Sequence, residues 1–215
     1  MTAEHKKHRL TFAKDRIHWR SKWKRIICTD EKRFNLDGPD GFAYYYHDLR
    51  KEKLVKKRRQ MGGGGIMIWG GIGYFGKTDI VCIEGKMNSK RYLNLIKEQI
   101  SKHARCITKG RFIFQHDSAS VHRAKIIEAY FSSEKIRILP WPARSPDLNI
   151  IENCWGELAR AVYRNGRQYD NVQQLKDVIV EEWNNLPQDT IKKLYKSLPN
   201  RMLEVVENGG SYTHY

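Results

Sequence analysis

Three carboxylates stand where acidic residues do not help a chain to fold. Asp30 closes the short apolar run Ile26-Ile27-Cys28, which turns polar at Thr29-Asp30-Glu31. Asp117 follows a second apolar stretch, Phe112–Phe114, in the sequence Gln115-His116-Asp117. Glu152 falls in the first turns of a helical segment behind a proline-rich loop, Pro140–Pro146. Strand ends at one edge of an α/β sheet converge in space, so acids placed there can share hard cations. Two divalent ions about 3.5–4 Å apart in such a cluster serve phosphoryl chemistry: one activates an attacking water or 3′-hydroxyl, and the other stabilises the leaving oxygen. An acid in a first helical turn is also an ordinary partner of the helix dipole, and Glu152 taken by itself reads more simply that way.

The elements that must position these acids alternate between strand and helix. A helix is expected over 8–23, with Leu10, Ala13 and Ile17 on one stripe and Trp19 and Trp23 on another. A first strand is expected to end near Asp30, and Leu36–Gly41 has the Gly and Pro content of a turn. Further strands are expected at Phe42–Tyr46, Ile66–Gly73, Ile80–Ile83, Phe112–Phe114 and Ile136–Leu139. Between them, helices are expected over 89–103, with Tyr92, Leu93, Ile96, Gln99 and Ile100 inward, and over 121–131. The helix carrying Glu152 should be capped by Asp147 or Asn149 and bury Ile151, Trp155, Leu158 and Val162. The tail, Asn171–Asn208, reads as helical again.

Charge points to the partner. The net charge is +16, and two short stretches supply most of it: residues 1–25 hold nine Lys/Arg against two acids, and residues 50–59 hold seven against one. Concentrated positive charge is what phosphate neutralisation requires, although either run taken alone reads equally well as a solvated basic face. Neither stretch has the broad apolar face of a membrane-surface helix, no run of 18 apolar residues occurs, and the basic N-terminus lacks the apolar core of a secretory signal. The four cysteines, Cys28, Cys82, Cys106 and Cys154, are spaced neither as a zinc site nor as a disulfide framework and are expected to be reduced. The segment 47–65, basic and ending in Gly62–Gly65, is long for a connection between strands, and such connections are usually functional.

Three motifs in one order carry a family resemblance. Thr29–Gly41 (TDEKRFNLDGPDG), Gln115–His122 (QHDSASVH) and Trp141–Leu158 (WPARSPDLNIIENCWGEL) resemble the catalytic domain of mariner-superfamily DDE transposases, and most closely the nematode-type Tc branch. The 34 residues between Asp117 and Glu152 are the triad spacing of that branch. Ile66–Lys77 and Met87–Ile96 are similar to the family as well, so the resemblance runs from about residue 8 to the C-terminus. The chain departs from the pattern at Ser118, where Asn is usual, at Ile150, where Pro is usual, and at Tyr46-His47, where Trp-Arg is typical. None of these removes an acid of the triad.

The resemblance implies an α/β, ribonuclease-H-like fold, a mixed central sheet flanked by helices, with an extended basic loop and C-terminal helices. It implies Asp30, Asp117 and Glu152 as catalytic metal ligands for two Mg²⁺ or Mn²⁺ ions. It implies double-stranded DNA as partner, with cleavage at transposon ends and strand transfer into TA target DNA, a homodimer assembled on DNA, no membrane, and the nucleus as compartment. Residues 24–215 would form the catalytic domain and 1–23 a basic linker helix, peripheral to the core. Residues 47–65 fall where related enzymes carry a clamp loop. DNA contacts are expected from Lys51, Lys53, Lys56, Lys57, Arg58 and Arg59 of that loop, from Arg20 and Lys24, and from His122, which could instead support the site from behind its ligands. Family members read their terminal repeats with two helix-turn-helix modules ahead of this region, so little terminal-repeat specificity is expected here. The alternative reading is a decayed or domesticated transposase that binds DNA without cutting it.

Overall fold

The computed structural model describes residues 1–39 and 64–215. The expected strand Phe42–Tyr46 and the basic loop with Lys51, Lys53, Lys56, Lys57, Arg58 and Arg59 lie outside the described residues. The strands are β1 (Ile26–Asn35), β2 (Gly65–Gly73), β3 (Gly76–Lys77), β4 (Val81–Ile83), β5 (Ile113–Gln115) and β6 (Arg137–Ile138). The helices are α1 (Ala3–Lys14), α2 (Ser89–Thr108), α3 (Lys125–Ser133), α4 (Ile151–Val162), α5 (Val172–Asn185) and α6 (Gln188–Glu207).

The sheet order is β3-β2-β1-β5-β6, with β4 also paired to β2. β1 runs antiparallel to β2 and parallel to β5, and β5 runs parallel to β6, which makes the sheet mixed, as expected of a ribonuclease-H-like fold. Successive strand residues point to opposite faces. In β1 this sends Ile26 and Cys28 into a cluster built with α4, α5 and α6, and Ile27 into a second cluster built with α2 and α3. Helices cover both faces, so the first residues of β1 are buried on both sides, and Ile26 through Thr29 read as a continuous buried run.

Several expectations are corrected in detail. β1 does not end near Asp30 but continues to Asn35, because β2 pairs with it as far as Asn35 opposite Gly65. Its pairing with β5 stops at Cys28 opposite Gln115. Asp30 therefore sits mid-strand, just beyond the point where the parallel pair opens. The helix expected over 121–131 begins at Lys125, after a turn, and α2 extends to Thr108, burying Leu95 in addition to Tyr92, Ile96 and Gln99, while Leu93 and Ile100 are only half-buried.

The N-terminal helix spans Ala3–Lys14 rather than 8–23, and a 3-10 turn at Ser21–Arg25 follows it. This segment is not peripheral. Phe12, Ala13 and Trp23 are buried in the same cluster as α4 and α6, and Arg9 is fully buried. The Arg9 guanidinium donates to both carboxylate oxygens of Asp147, at 2.8 and 2.6 Å, and to the carbonyls of Gly210 and Ser211. One side chain thus ties α1 to the loop before α4 and to the C-terminal tail. Asp147 is consequently a partner of Arg9, and the N-cap position of α4 falls on Ile150 with no side-chain cap bond, so neither expected residue caps the helix; Asn149 Oδ1 accepts from the Ile151 amide at 3.4 Å just before it. No helix among the described residues is long and apolar enough to cross a membrane.

Candidate active site

Alternation along β1 separates two neighbouring acids. Asp30 shares the face of Ile26 and Cys28 and meets α4, where Trp155 Nε1 donates to Asp30 Oδ2 at 3.1 Å. Glu31 shares the opposite face and meets His122, with 3.4 Å between His122 Nε2 and Glu31 Oε1. Glu152 and Trp155 lie three residues apart on α4 and so share a helix face. The bond that holds Trp155 on Asp30 therefore also presents the start of α4 to β1.

The approach of Trp155 depends on a glycine. Gly70 is the cross-strand partner of Asp30, and a Cβ added to it would stand 2.8 Å from Trp155 Cη2 and 3.2 Å from Ile80 Cδ1. The ring occupies the space that a side chain at Gly70 would take. Trp155 also packs on Trp183 at 5.2 Å between ring centroids, which fixes its orientation from behind.

Asp117 follows the last residue of β5 by two positions and is exposed. Its Oδ1 accepts from the Ala119 amide at 2.9 Å and lies 2.6 Å from His122 Nδ1. Hydrogen bonding from His122 holds the Asp117 carboxyl below the usual carboxylate range. Burial opposes charge on His122, but Asp117 and Glu31 on its two nitrogens outweigh it and raise the ring to about 9. His122 is 6% exposed, with a carboxylate at each ring nitrogen. Tyr92 stacks on it at 4.1 Å, and buried His116, bonded to the Tyr92 hydroxyl at 3.0 Å, is lowered to about 4 by burial and by the neighbouring His122 cation.

Asp30 is the electrostatically stressed member of the group. Burial raises its carboxyl to about 7, with Glu152 and then Glu31 adding repulsion, and the Trp155 bond only partly offsets them. Glu152 is raised as well, by burial, with Lys32 opposing. Clustered carboxylates without a cation should leave one member protonated or turned away. Burial and the neighbouring Glu152 and Glu31 push the Asp30 carboxyl toward its protonated form, and Asp117 is paired with His122. Among the described residues no three His, Cys, Asp or Glu side chains converge closely enough to cage an ion as they stand.

Arg20 and Lys24 are exposed at the other end of β1, before its first residue, with Lys24 Nζ 4.8 Å from the Tyr74 ring centre. Reasoning from sequence missed Glu31, Gly70 and the bond that Trp155 makes. Glu31 stood in the quoted motif beside Asp30, Gly70 in the run Trp69-Gly70-Gly71, and Trp155 was read only as core. All four cysteines are free thiols.

Residues 25–176 match the family model described as DDE superfamily endonuclease. The chain is similar to the transposable element Tc3 transposase of Caenorhabditis elegans, 42% identical over 215 residues, a match covering all of this chain and 65% of that protein. It is also similar to the Tcb2 transposase of Caenorhabditis briggsae, 29% identical over 211 residues, covering 96% of this chain and 77% of that protein. Its fold is that of the Mos1 transposase paired-end complex with the left transposon end, at TM-score 0.85 and 20% identity, covering 99% of this chain and 64% of the other. The Mos1 mariner paired-end complexes with Mn and with Mg match at TM-scores of 0.82 and 0.84, each at 20% identity over the whole chain and 65% of theirs. The chain thus spans about two-thirds of the length of the Tc3 relative, and the mixed sheet with helices on both faces is ribonuclease-H-like.

Proposed function

The chain belongs to the DDE superfamily endonucleases, in their Tc1/mariner transposase group, and from that membership we propose that it is the catalytic part of a DNA transposase. In this reading it cuts strands at transposon ends and joins the freed 3′-hydroxyl to TA target DNA. The observation that carries the reading is the convergence of β1, the end of β5 and the start of α4, held by the Trp155–Asp30 bond. Asp30, Asp117 and Glu152 are the proposed catalytic acids. Residues 24–215 form the proposed catalytic domain, with 1–23 as an N-terminal segment packed on it.

The donor set suits a hard divalent cation: the three acids offer oxygens alone, and two of them are short of positive charge. Asp30, Asp117 and Glu152 would hold Mg²⁺ or Mn²⁺, two ions in this proposal, and the ions would activate the attacking oxygen and stabilise the leaving one. Structures of Mos1 with Mg and with Mn support the choice. The chain's own residues orient the acids. Trp155 fixes one oxygen of Asp30, and the His122 cation holds Asp117 and Glu31 while keeping its ring out of solvent.

Double-stranded DNA is the proposed partner, gripped in part by Lys51, Lys53, Lys56, Lys57, Arg58 and Arg59 and by Arg20 and Lys24. A homodimer assembled on DNA is proposed on the strength of the paired-end complexes of Mos1. The nucleus is the matching compartment. Incubation of the chain with supercoiled plasmid and Mg²⁺ tests the activity. Nicked plasmid, and joining of a supplied 3′-hydroxyl end at TA dinucleotides, are expected. Binding without any metal-dependent nicking overturns the proposal.

A further inference from the structure

A basic groove lies at the end of the sheet opposite the three acids. It encloses about 920 Å³ at the N-terminal ends of the parallel strands β5 and β6 and just before β1. Its lining includes Arg25, Arg105, Lys109, Arg111, Lys135 and Arg137, with Glu134 as the one carboxylate. Lys22 closes one side, its ammonium 3.9 Å from the Trp19 ring centre. Among the described residues none of these cations pairs with a carboxylate. Asp30 lies five positions beyond Arg25 along the strand, roughly 17 Å at the usual rise. The groove is therefore a place apart from the acids.

Helix dipoles explain only part of this charge. Arg105 and Lys109 end α2, and Lys135 follows the end of α3, where cations are favoured. Arg25 ends the short 3-10 turn before β1, but Arg111 lies two residues before β5 and Arg137 opens β6, and a sheet carries little net dipole. Lys109 and Lys135 moreover hold left-handed backbone, at φ 56° and 52°, where Gly or Asn is usual and a side chain costs about 1 kcal/mol. Arg25 Nε donates to the Arg111 carbonyl at 3.0 Å, joining two sides of the groove and leaving the rest of its guanidinium outward. Half-buried Phe112 and Ile136 form an apolar floor between the cations.

We propose that this groove is a second DNA-backbone site, one that grips the phosphates of duplex DNA at a distance from the catalytic acids. The identity of the polyanion as DNA rests on the proposed function, whereas the charge of the groove does not. Cations from three strand starts and two helix ends suit a line of phosphates, which position a duplex without reading its sequence.

The test uses Arg105, Arg111, Lys135 and Arg137, all exposed. Their joint replacement by alanine in the full chain is measured against a 25-base-pair duplex of arbitrary sequence over a range of salt. Each lost phosphate contact lowers the slope of log K against log[salt] by about 0.9, so a fall of about two to four units is expected, with at least a tenfold loss of affinity near 0.15 M salt. Exchanging each arginine for lysine, with Lys135 retained, should keep most of the slope and so exclude a folding defect. Cys106, exposed and adjacent in sequence to the groove-lining Arg105, allows an iron chelate to be tethered near the groove, and it should cut the bound duplex. An unchanged slope with no tethered cutting overturns the proposal. So does loss of poly-glutamate binding with duplex binding intact, or selective loss of single-stranded RNA binding. If the wild-type chain fails to nick plasmid while the slope still falls, the catalytic reading fails and the groove stands; nicking with an unchanged slope gives the reverse.

Discussion

Trp155 donates its indole N–H to Asp30 at 3.1 Å, and it reaches that carboxylate through space that Gly70, the strand partner of Asp30, leaves open. A core tryptophan is thereby also a positioning residue. Its ring belongs to the α4 stripe that fills the main hydrophobic cluster, and its polar edge sets one oxygen of a buried acid.

Gly70→Ala should disturb the site more than the fold. The new methyl must displace Trp155, a strain of the kind that costs about 1–3 kcal/mol in packed cores. Plasmid nicking should fall tenfold or more in conditions where circular dichroism still reports a folded chain. Full activity in Gly70→Ala would show that Trp155 need not stay where it is.

The pH dependence of metal-free stability reports on Asp30. Its carboxyl stands at about 7 in the folded chain, against about 3.9 unfolded. A carboxyl raised on folding contributes stability that is complete below about pH 4 and lost as pH rises through about 7. Asp30→Asn keeps a neutral acceptor for Trp155 and escapes that loss. The Tm of Asp30→Asn should therefore gain on wild type between pH 4 and 8 without metal, and the gap should narrow when Mg²⁺ is added. A gap independent of pH contradicts the burial of Asp30.

Arg9 and Asp147 form a buried pair, with side chains 0% and 7% exposed. Removing one partner leaves the other charged and unpaired, at a cost of roughly 3–5 kcal/mol. Arg9→Leu should lower Tm markedly, and Arg9→Leu with Asp147→Leu should recover much of it. Deleting residues 1–15 removes Arg9 together with Phe12 and Ala13 and should yield an unfolded or insoluble chain. Cooperative unfolding of that deletion at the wild-type Tm would contradict the packing of α1.

The basic loop should act independently of the groove. Replacing Lys56, Lys57, Arg58 and Arg59 with alanine should lower the salt slope for duplex binding by a few units, and the loss should add to that of the groove variant. A slope that stays at the wild-type value leaves the run a solvated face.

Much of this arrangement was legible in the sequence, because it rests on short-range patterns. Ile151, Trp155, Leu158 and Val162 are all buried, as their spacing on α4 requires, and β2 spans the apolar run that marked it. What escaped depends on contacts distant in sequence. β1 looked short because Thr29 to Arg33 are polar, but pairing with β2, some 40 residues on, carries the strand to Asn35. Arg9 read as one more basic residue until Asp147 and the C-terminal carbonyls closed around it. Glu31 stood only as a polar residue of the motif beside Asp30, yet strand alternation sends it to the opposite face and to His122. Gly70 marked only a strand, since the ring that needs its missing side chain lies 85 positions away.

If Asp30, Asp117 and Glu152 share divalent metal, crystals of the chain soaked in Mn²⁺ should show it by anomalous X-ray diffraction. Manganese peaks are expected within coordination distance of Asp30, Asp117 and Glu152, with Asp117 turned from His122 toward the ion. Manganese bound elsewhere, or a Glu152 that stays away from the two aspartates with Mn²⁺ and DNA both present, would contradict it.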